Sequence, residues 1–251
     1  MILQVEELSK QFGGVMAVDG VSFHVDKSEI LGIIGPNGAG KTTAINAISG
    51  FFPPSRGRVV FDGRDITGLR ADQISKAGIG RNFQASVLFM PLAVIENVLI
   101  GYHKCYRTSA WKRLFRLPAA LKEEETFRQE SAELLDRMGL GRFTYELASN
   151  LPYGHQRILS ICMALASDPK LLILDEPVTG MNESETQTML QLIRRIRDDG
   201  IAIVMIEHNM DVVMNLCDRI VVLNYGRKIA EGHPKEIRAN EEVIEAYLGK
   251  E

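Results

Sequence analysis

The stretch Ile30-Leu31-Gly32-Ile33-Ile34-Gly35-Pro36-Asn37-Gly38-Ala39-Gly40-Lys41-Thr42-Thr43 decides the fold. Its first five residues form a nearly continuous apolar run, the pattern of a strand buried on both faces. From Gly35 to Thr43 it matches the glycine-rich phosphate-binding loop in full, and the helical spacing of Ala44, Ile45, Ala47 and Ile48 follows. Glycines at these positions allow backbone N–H groups to converge on phosphate oxygens, with the helix N-terminus adding its partial positive charge. Lys41 is placed to reach the β- and γ-phosphates of a nucleotide and the Thr42 hydroxyl to ligate Mg²⁺.

A magnesium-dependent site needs a carboxylate, and Leu171-Leu172-Ile173-Leu174-Asp175-Glu176 supplies one at the end of a second buried run. Asp175 at the carboxyl edge of that strand is expected to face the cation, and Glu176 to orient and deprotonate a water attacking the γ-phosphate. Further apolar runs at Ile201–Ile206 and Ile220–Leu223, with the helical pattern Glu183–Arg197 before them, extend the same alternation. Val21, Phe23 and Val25 alternate with Ser22 and His24 as in a strand with one wet face, and Val59-Val60-Phe61 reads as another strand. Between about Leu92 and Ala148 the character turns helical, including Glu123–Met138. The expected architecture is an α/β core interrupted by a helical subdomain.

Composition sets the outer limits. With 251 residues, 45% hydrophobic and 24% charged, the chain has room for one large core with an insertion. A net charge of −3 argues against nucleic-acid binding by bulk charge. Cys105, Cys162 and Cys217 lie far apart, with no zinc-site or disulfide spacing, as in a reduced compartment. The start Met1–Glu7 does not read as a signal peptide, and no apolar run approaches the roughly 18–20 residues that span a bilayer. The reading is therefore a cytoplasmic chain.

In their order along the chain these motifs resemble the ATP-binding subunits of ATP-binding-cassette (ABC) transporters, and the resemblance covers essentially the whole sequence. It implies a P-loop NTPase (RecA-like) core of ABC ATPase type, with an antiparallel β subdomain and an inserted α-helical subdomain. One cassette would span 1–251, with residues 1–84 and 169–251 forming the core and 85–168 the helical subdomain. The ATP site would comprise Gly35, Pro36, Asn37, Gly38, Ala39, Gly40, Lys41, Thr42 and Thr43, with Phe12 where the family stacks an aromatic ring on adenine. Catalysis would rest on Glu176, on His208 as the switch histidine and on Gln84 of the segment Asn82-Phe83-Gln84. Thr42, Gln84 and Asp175 would hold Mg²⁺.

The family's signature, Leu-Ser-Gly-Gly-Gln, stands here as Leu151-Pro152-Tyr153-Gly154-His155, within the segment 151–157. In the family it binds ATP held by the opposite subunit, so Leu151, Tyr153, Gly154, His155 and Asn182 would make contacts in trans. Pro152 has neither hydroxyl nor N–H, so one of those contacts is expected to be lost and hydrolysis to survive at a reduced rate. Tyr153, Asn182, the opening Phe12–Val18 and the ending Val243–Gly249 resemble the LivG-type subgroup, the ATPases of branched-chain amino acid import. Urea-import and lipopolysaccharide-export ATPases share parts of this pattern, and a soluble non-transport ABC protein is the other alternative. A P-loop GTPase is excluded by the lack of an Asn-Lys-x-Asp tetrad.

The resemblance implies as partners transmembrane permease subunits and a second ATP-binding subunit, the same chain or a paralogue. A periplasmic or extracellular substrate-binding protein would act indirectly. The chain would sit peripherally on the cytoplasmic face of the membrane. Its insertion at 102–122 carries Lys104, Arg107, Lys112, Arg113, Arg116 and Lys122, together with Trp111 and Phe115, and no acidic residue. That composition suits either a solvated loop or a surface that meets anionic headgroups or a membrane partner.

Overall fold

The computed structural model describes residues 1–82 and 88–248. The chain begins with β1 (Leu3–Phe12), β2 (Val15–Val25) and β3 (Ile30–Ile34), then α1 (Lys41–Ile48). Next come β4 (Arg56–Phe61), β5 (Arg64–Asp65), α2 (Ala71–Ala77) and β6 (Ile79–Asn82). A helical stretch follows with α3 (Val94–Gly101), α4 (Ala110–Leu114), α5 (Pro118–Arg137) and α6 (Tyr153–Leu165). The chain then returns to β7 (Leu171–Asp175), α7 (Glu183–Asp198), β8 (Ala202–Ile206) and α8 (Met210–Leu216). It closes with β9 (Arg219–Asn224), β10 (Arg227–Gly232), α9 (Pro234–Arg238) and α10 (Glu241–Leu248).

Ten strands form two sheets among the described residues. A six-stranded sheet runs β10-β9-β3-β8-β7-β6, parallel except for β10 at its edge. An antiparallel sheet of order β2-β1-β4-β5 lies beside it. The apolar runs of the parallel strands have two faces to cover, and each face enters a different core. Leu171 and Ile173 of β7 pack with Leu31, Ile33 and Val204 against the antiparallel sheet and α1. Leu172 and Leu174 pack with Ile203 and Met205 against α3, α6 and α7. Each such side chain contributes about 2 kcal/mol on burial, so both faces are held.

The first strand did not declare itself in the sequence, and its backbone shows why. Glu7 adopts φ 48°, and the pairing of β1 with β2 shifts register between Val5 and Leu8. The bulge puts Val5 and Leu8 in the core three positions apart, which destroys the period-two alternation of a regular strand. The helical region expected over Glu123–Met138 is α5, which starts earlier because Pro118 stands at its first turn.

Candidate functional site

Four adjacent parallel strands, in the order β3, β8, β7 and β6, bring the chemistry-bearing residues to one carboxyl edge. Pairing sets Ile33 beside Ile206 and Ile206 beside Asp175, while Asn82 at the end of β6 lies beside Leu174. The phosphate loop leaves β3 at Gly35, His208 stands two residues beyond β8, and Asp175 ends β7. Gln84 follows β6 but lies outside the described residues.

Within the loop, glycine is demanded by neighbours as well as by backbone angle. A Cβ on Gly35 (φ 149°) would stand 2.1 Å from the Leu223 carbonyl oxygen, and one on Gly40 (φ 96°) 2.4 Å from that of Ala17. The loop is therefore pressed onto β9 and β2, and Ala39 is buried with it. A Cβ on Gly38 (φ 81°) would meet no neighbour within 4 Å among the described residues, and Gly38 forms the open rim with Pro36 and Asn37. Lys41 folds over the loop and donates to the Gly35 and Pro36 carbonyls at 2.6 and 2.9 Å. Burial lowers the Lys41 pKa, while the charges of Glu176 and Asp175 favour its ammonium. Thr42 and Thr43 open α1 just beyond.

The carboxylates differ sharply from one another. Asp175 is buried, which raises its pKa, and the Arg81 guanidinium opposes that shift from 3.2 Å. Arg81 is itself buried in β6 and donates to Asn46 Oδ1 and Ser49 Oγ, both at 2.7 Å. Glu176 takes the left-handed conformation, φ 49°, that costs a non-glycine residue about 1 kcal/mol or more. Its N–H donates to the Ile206 carbonyl, and its Oε2 accepts from Thr179 Oγ1 at 3.3 Å. Its Oε1 lies 3.7 Å from His208 Nδ1.

Sequence reasoning missed the group that organises this edge. Glu207 is fully buried, and its carboxylate accepts from the backbone N–H groups of Val178, His208 and Asn209 at 3.3, 3.1 and 3.4 Å. It thus fastens the turn after Glu176 to the one bearing His208; burial raises its pKa against those bonds. The available signal was an acid directly after a five-residue buried run. Arg81, a cation beside the apolar Ile79-Gly80, was the corresponding signal in β6.

The residues expected to reach a facing nucleotide are placed differently from one another. Leu151 is turned into the core, which removes its side chain from any trans contact. His155 packs edge-to-face on Phe143 at 5.1 Å, and its buried Nδ1 has no hydrogen-bond partner among the described residues. The Asn182 carboxamide oxygen accepts from Glu185 N at 3.0 Å as the cap of α7. Tyr153 remains exposed, but its hydroxyl donates to the Thr179 carbonyl at 3.3 Å and accepts from Arg157 Nε at 3.1 Å. Gly154 is buried against Glu185, whose Oε1 a Cβ would meet at 2.9 Å. The first turn of α6 starts at Tyr153, directly after Pro152. Phe12, at the end of β1, is 47% exposed, edge-on to Phe52 at 5.2 Å and under the Lys10 ammonium.

The profile of the ABC transporter family matches residues 18–179, and that of the branched-chain amino acid ATP-binding cassette transporters matches 227–251. The chain belongs to the ABC transporter ATP-binding family. It is 39% identical over 250 residues to the high-affinity branched-chain amino acid transport ATP-binding protein BraF of Pseudomonas aeruginosa, covering 99% of this chain and 98% of that one. It is 41% identical, with the same coverage, to the LivG protein of Salmonella typhimurium, which carries the same description. Among solved structures, a nucleotide-free cassette from an ABC transporter superposes with a TM-score of 0.87 at 34% identity, covering 99% of both chains. A dimeric cassette in a post-hydrolysis state with ADP and Pi superposes with a TM-score of 0.76 at 25% identity, covering 93% of this chain and 99% of that one. The expected cassette fold and ATPase class are thereby borne out.

Proposed function

We propose that this chain is the ATP-hydrolysing subunit of a branched-chain amino acid importer, working at the cytoplasmic face of the membrane beneath permease subunits. The observation that carries the reading is the meeting of the phosphate loop, Asp175, Glu176 and His208 on three adjacent strand ends, in a chain similar along its whole length to such subunits. No helix among the described residues is long and apolar enough to cross a membrane, so the translocation path would be built by partners.

Mg²⁺ would be held by the Thr42 hydroxyl and the Asp175 carboxylate, hard oxygen donors that suit it, with the nucleotide's phosphates and water completing its shell. Among the described residues no cluster of three His, Cys, Asp or Glu offers a metal cage, in keeping with a cation shared with substrate. Bound there, it would neutralise charge developing on the phosphate oxygens. Glu176 would align and deprotonate the attacking water, with His208 beside it steadying the γ-phosphate. Lys41 would exchange its two loop carbonyls for phosphate oxygens, and the N–H groups opening α1 would cradle the same anion. Phe12 would support the adenine, and Gln84 would join the water and metal.

Two such subunits would close head-to-tail over two ATP molecules, each offering the start of α6 to the other's nucleotide. Release after hydrolysis would reset the permease. The test is transport and ATPase activity of the reconstituted complex, with leucine, isoleucine and valine set against urea. Stimulation by the amino acids, abolished in Glu176→Gln, is the expected result; turnover equal to that of the Glu176→Gln control overturns it.

A further inference from the structure

The insertion between α3 and α5 presents an apolar surface that the fold leaves open. Residues 111–119 are exposed without interruption, and Trp111, Leu114 and Phe115 are each more than two-thirds accessible. Trp111 and Phe115, one turn apart, stack with centroids 6.0 Å apart and planes inclined by 15°. Large side chains left in water this way mark an interaction surface.

The surface stands on a built base. Glu123 of α5 accepts from the N–H groups of Arg107 and Thr108 and from the Thr108 hydroxyl. Arg113 lies over the Tyr106 ring, which in turn packs edge-on against Phe127 of α5. The aromatic pair is thus carried by anchored chain.

Lys112, Arg113 and Arg116 flank it, with no acidic residue between 102 and 122, although the whole chain carries a net charge of −3. A second copy would set the same basic charges against one another in a two-fold contact. An anionic lipid surface answers both features: its headgroups attract the cations, and its interface takes up indole and phenyl rings. We propose that residues 111–117 form a membrane-contact element, with Trp111, Leu114 and Phe115 seated at the interface and Lys112, Arg113 and Arg116 on anionic headgroups. The element tethers the subunit to the bilayer independently of any permease.

Trp111 is the chain's single tryptophan, so its fluorescence reports this surface alone. The full-length chain is mixed with protein-free vesicles of phosphatidylcholine, with or without phosphatidylglycerol. A blue shift and co-sedimentation with the anionic vesicles only are expected. Each basic residue near such a surface is worth about fivefold in partitioning, so Lys112→Ala/Arg113→Ala/Arg116→Ala loses about a hundredfold. Phe115→Ala weakens binding at unchanged charge. Lys112→Ala/Arg116→Ala, which spares the Arg113–Tyr106 contact of the base, should lose about 25-fold, and circular dichroism and melting curves check that each variant keeps the fold. An unchanged Trp111 spectrum with anionic vesicles, or undiminished binding of the triple variant, overturns the proposal. Binding that arises only when vesicles carry permease subunits does so as well, and assigns the surface to a protein.

Discussion

The Arg81–Asp175 pair sets a stability cost that can be measured apart from catalysis. Both side chains are at least nine-tenths buried, and the guanidinium reaches Asp175 Oδ2 at 3.2 Å. Replacing Arg81 with Met keeps much of the side-chain volume but leaves a buried carboxylate without its cation, a change that costs about 3–5 kcal/mol. Against a total stability of about 5–15 kcal/mol, this is a large shift. Urea unfolding should be followed by far-ultraviolet circular dichroism, because Trp111 is exposed and blind to the core. The loss has a pH signature. Asp175 already binds its proton more tightly than in the unfolded chain, and without Arg81 it does so still more. Protonation therefore relieves the variant, and its deficit shrinks as pH falls through the raised pKa. Arg81→Met/Asp175→Asn should be more stable than the sum of its single changes by about 2 kcal/mol. A deficit below about 1 kcal/mol, one that ignores pH, or strict additivity in the double variant would refute this account of the pair.

Glu207 gives a second pH test. Its folded pKa is raised by burial above the ordinary 4.5, so wild-type stability rises as pH falls through that raised value and levels off below the unfolded one. Glu207→Gln lacks this slope, so wild-type minus variant stability, from denaturation curves at several pH values, should increase as pH falls through the raised value; a constant or falling difference would contradict the assignment. In the phosphate loop, Gly38→Ala pays only for its backbone angle, about 1 kcal/mol, since the space around it is open. Gly35→Ala must also displace the Leu223 carbonyl and should cost at least twice as much in chemical denaturation.

The site edge was legible because buried parallel strands read as apolar runs, and each motif begins where a run stops. Ile30–Ile34 ends at Gly35 and Leu171–Leu174 at Asp175, so strand ends could be located from hydrophobicity alone. What joins those ends could not be read this way. Arg81 meets Asp175 across 94 residues of chain, only because β6 and β7 are neighbours. The orientations of Leu151, His155 and Asn182 were hidden for a related reason: the first two are set by packing in the helical region and the third by capping α7 in the core. A motif match assigns a residue type to a position, but the inward turn of Leu151 is decided by the core it helps to fill.

These contacts also hold the edge that carries Glu176 and His208 from two directions. From the core side, Glu207 binds the N–H of Val178 and those of His208 and Asn209, so the turns carrying Glu176 and His208 share one buried anchor. From the helical side, Tyr153 at the start of α6 holds the Thr179 carbonyl, and the Thr179 hydroxyl holds Glu176. A rotation of the helical subdomain that carried Tyr153 away would break that bond or drag residue 179, and the carboxylate with it. The left-handed backbone of Glu176 makes the second outcome consequential, because a conformation costing about 1 kcal/mol or more persists only while its surroundings enforce it. If Glu176 is the general base proposed above, its position is conditional on where α6 stands, which is the dependence an ATPase needs if hydrolysis is to wait for its partner.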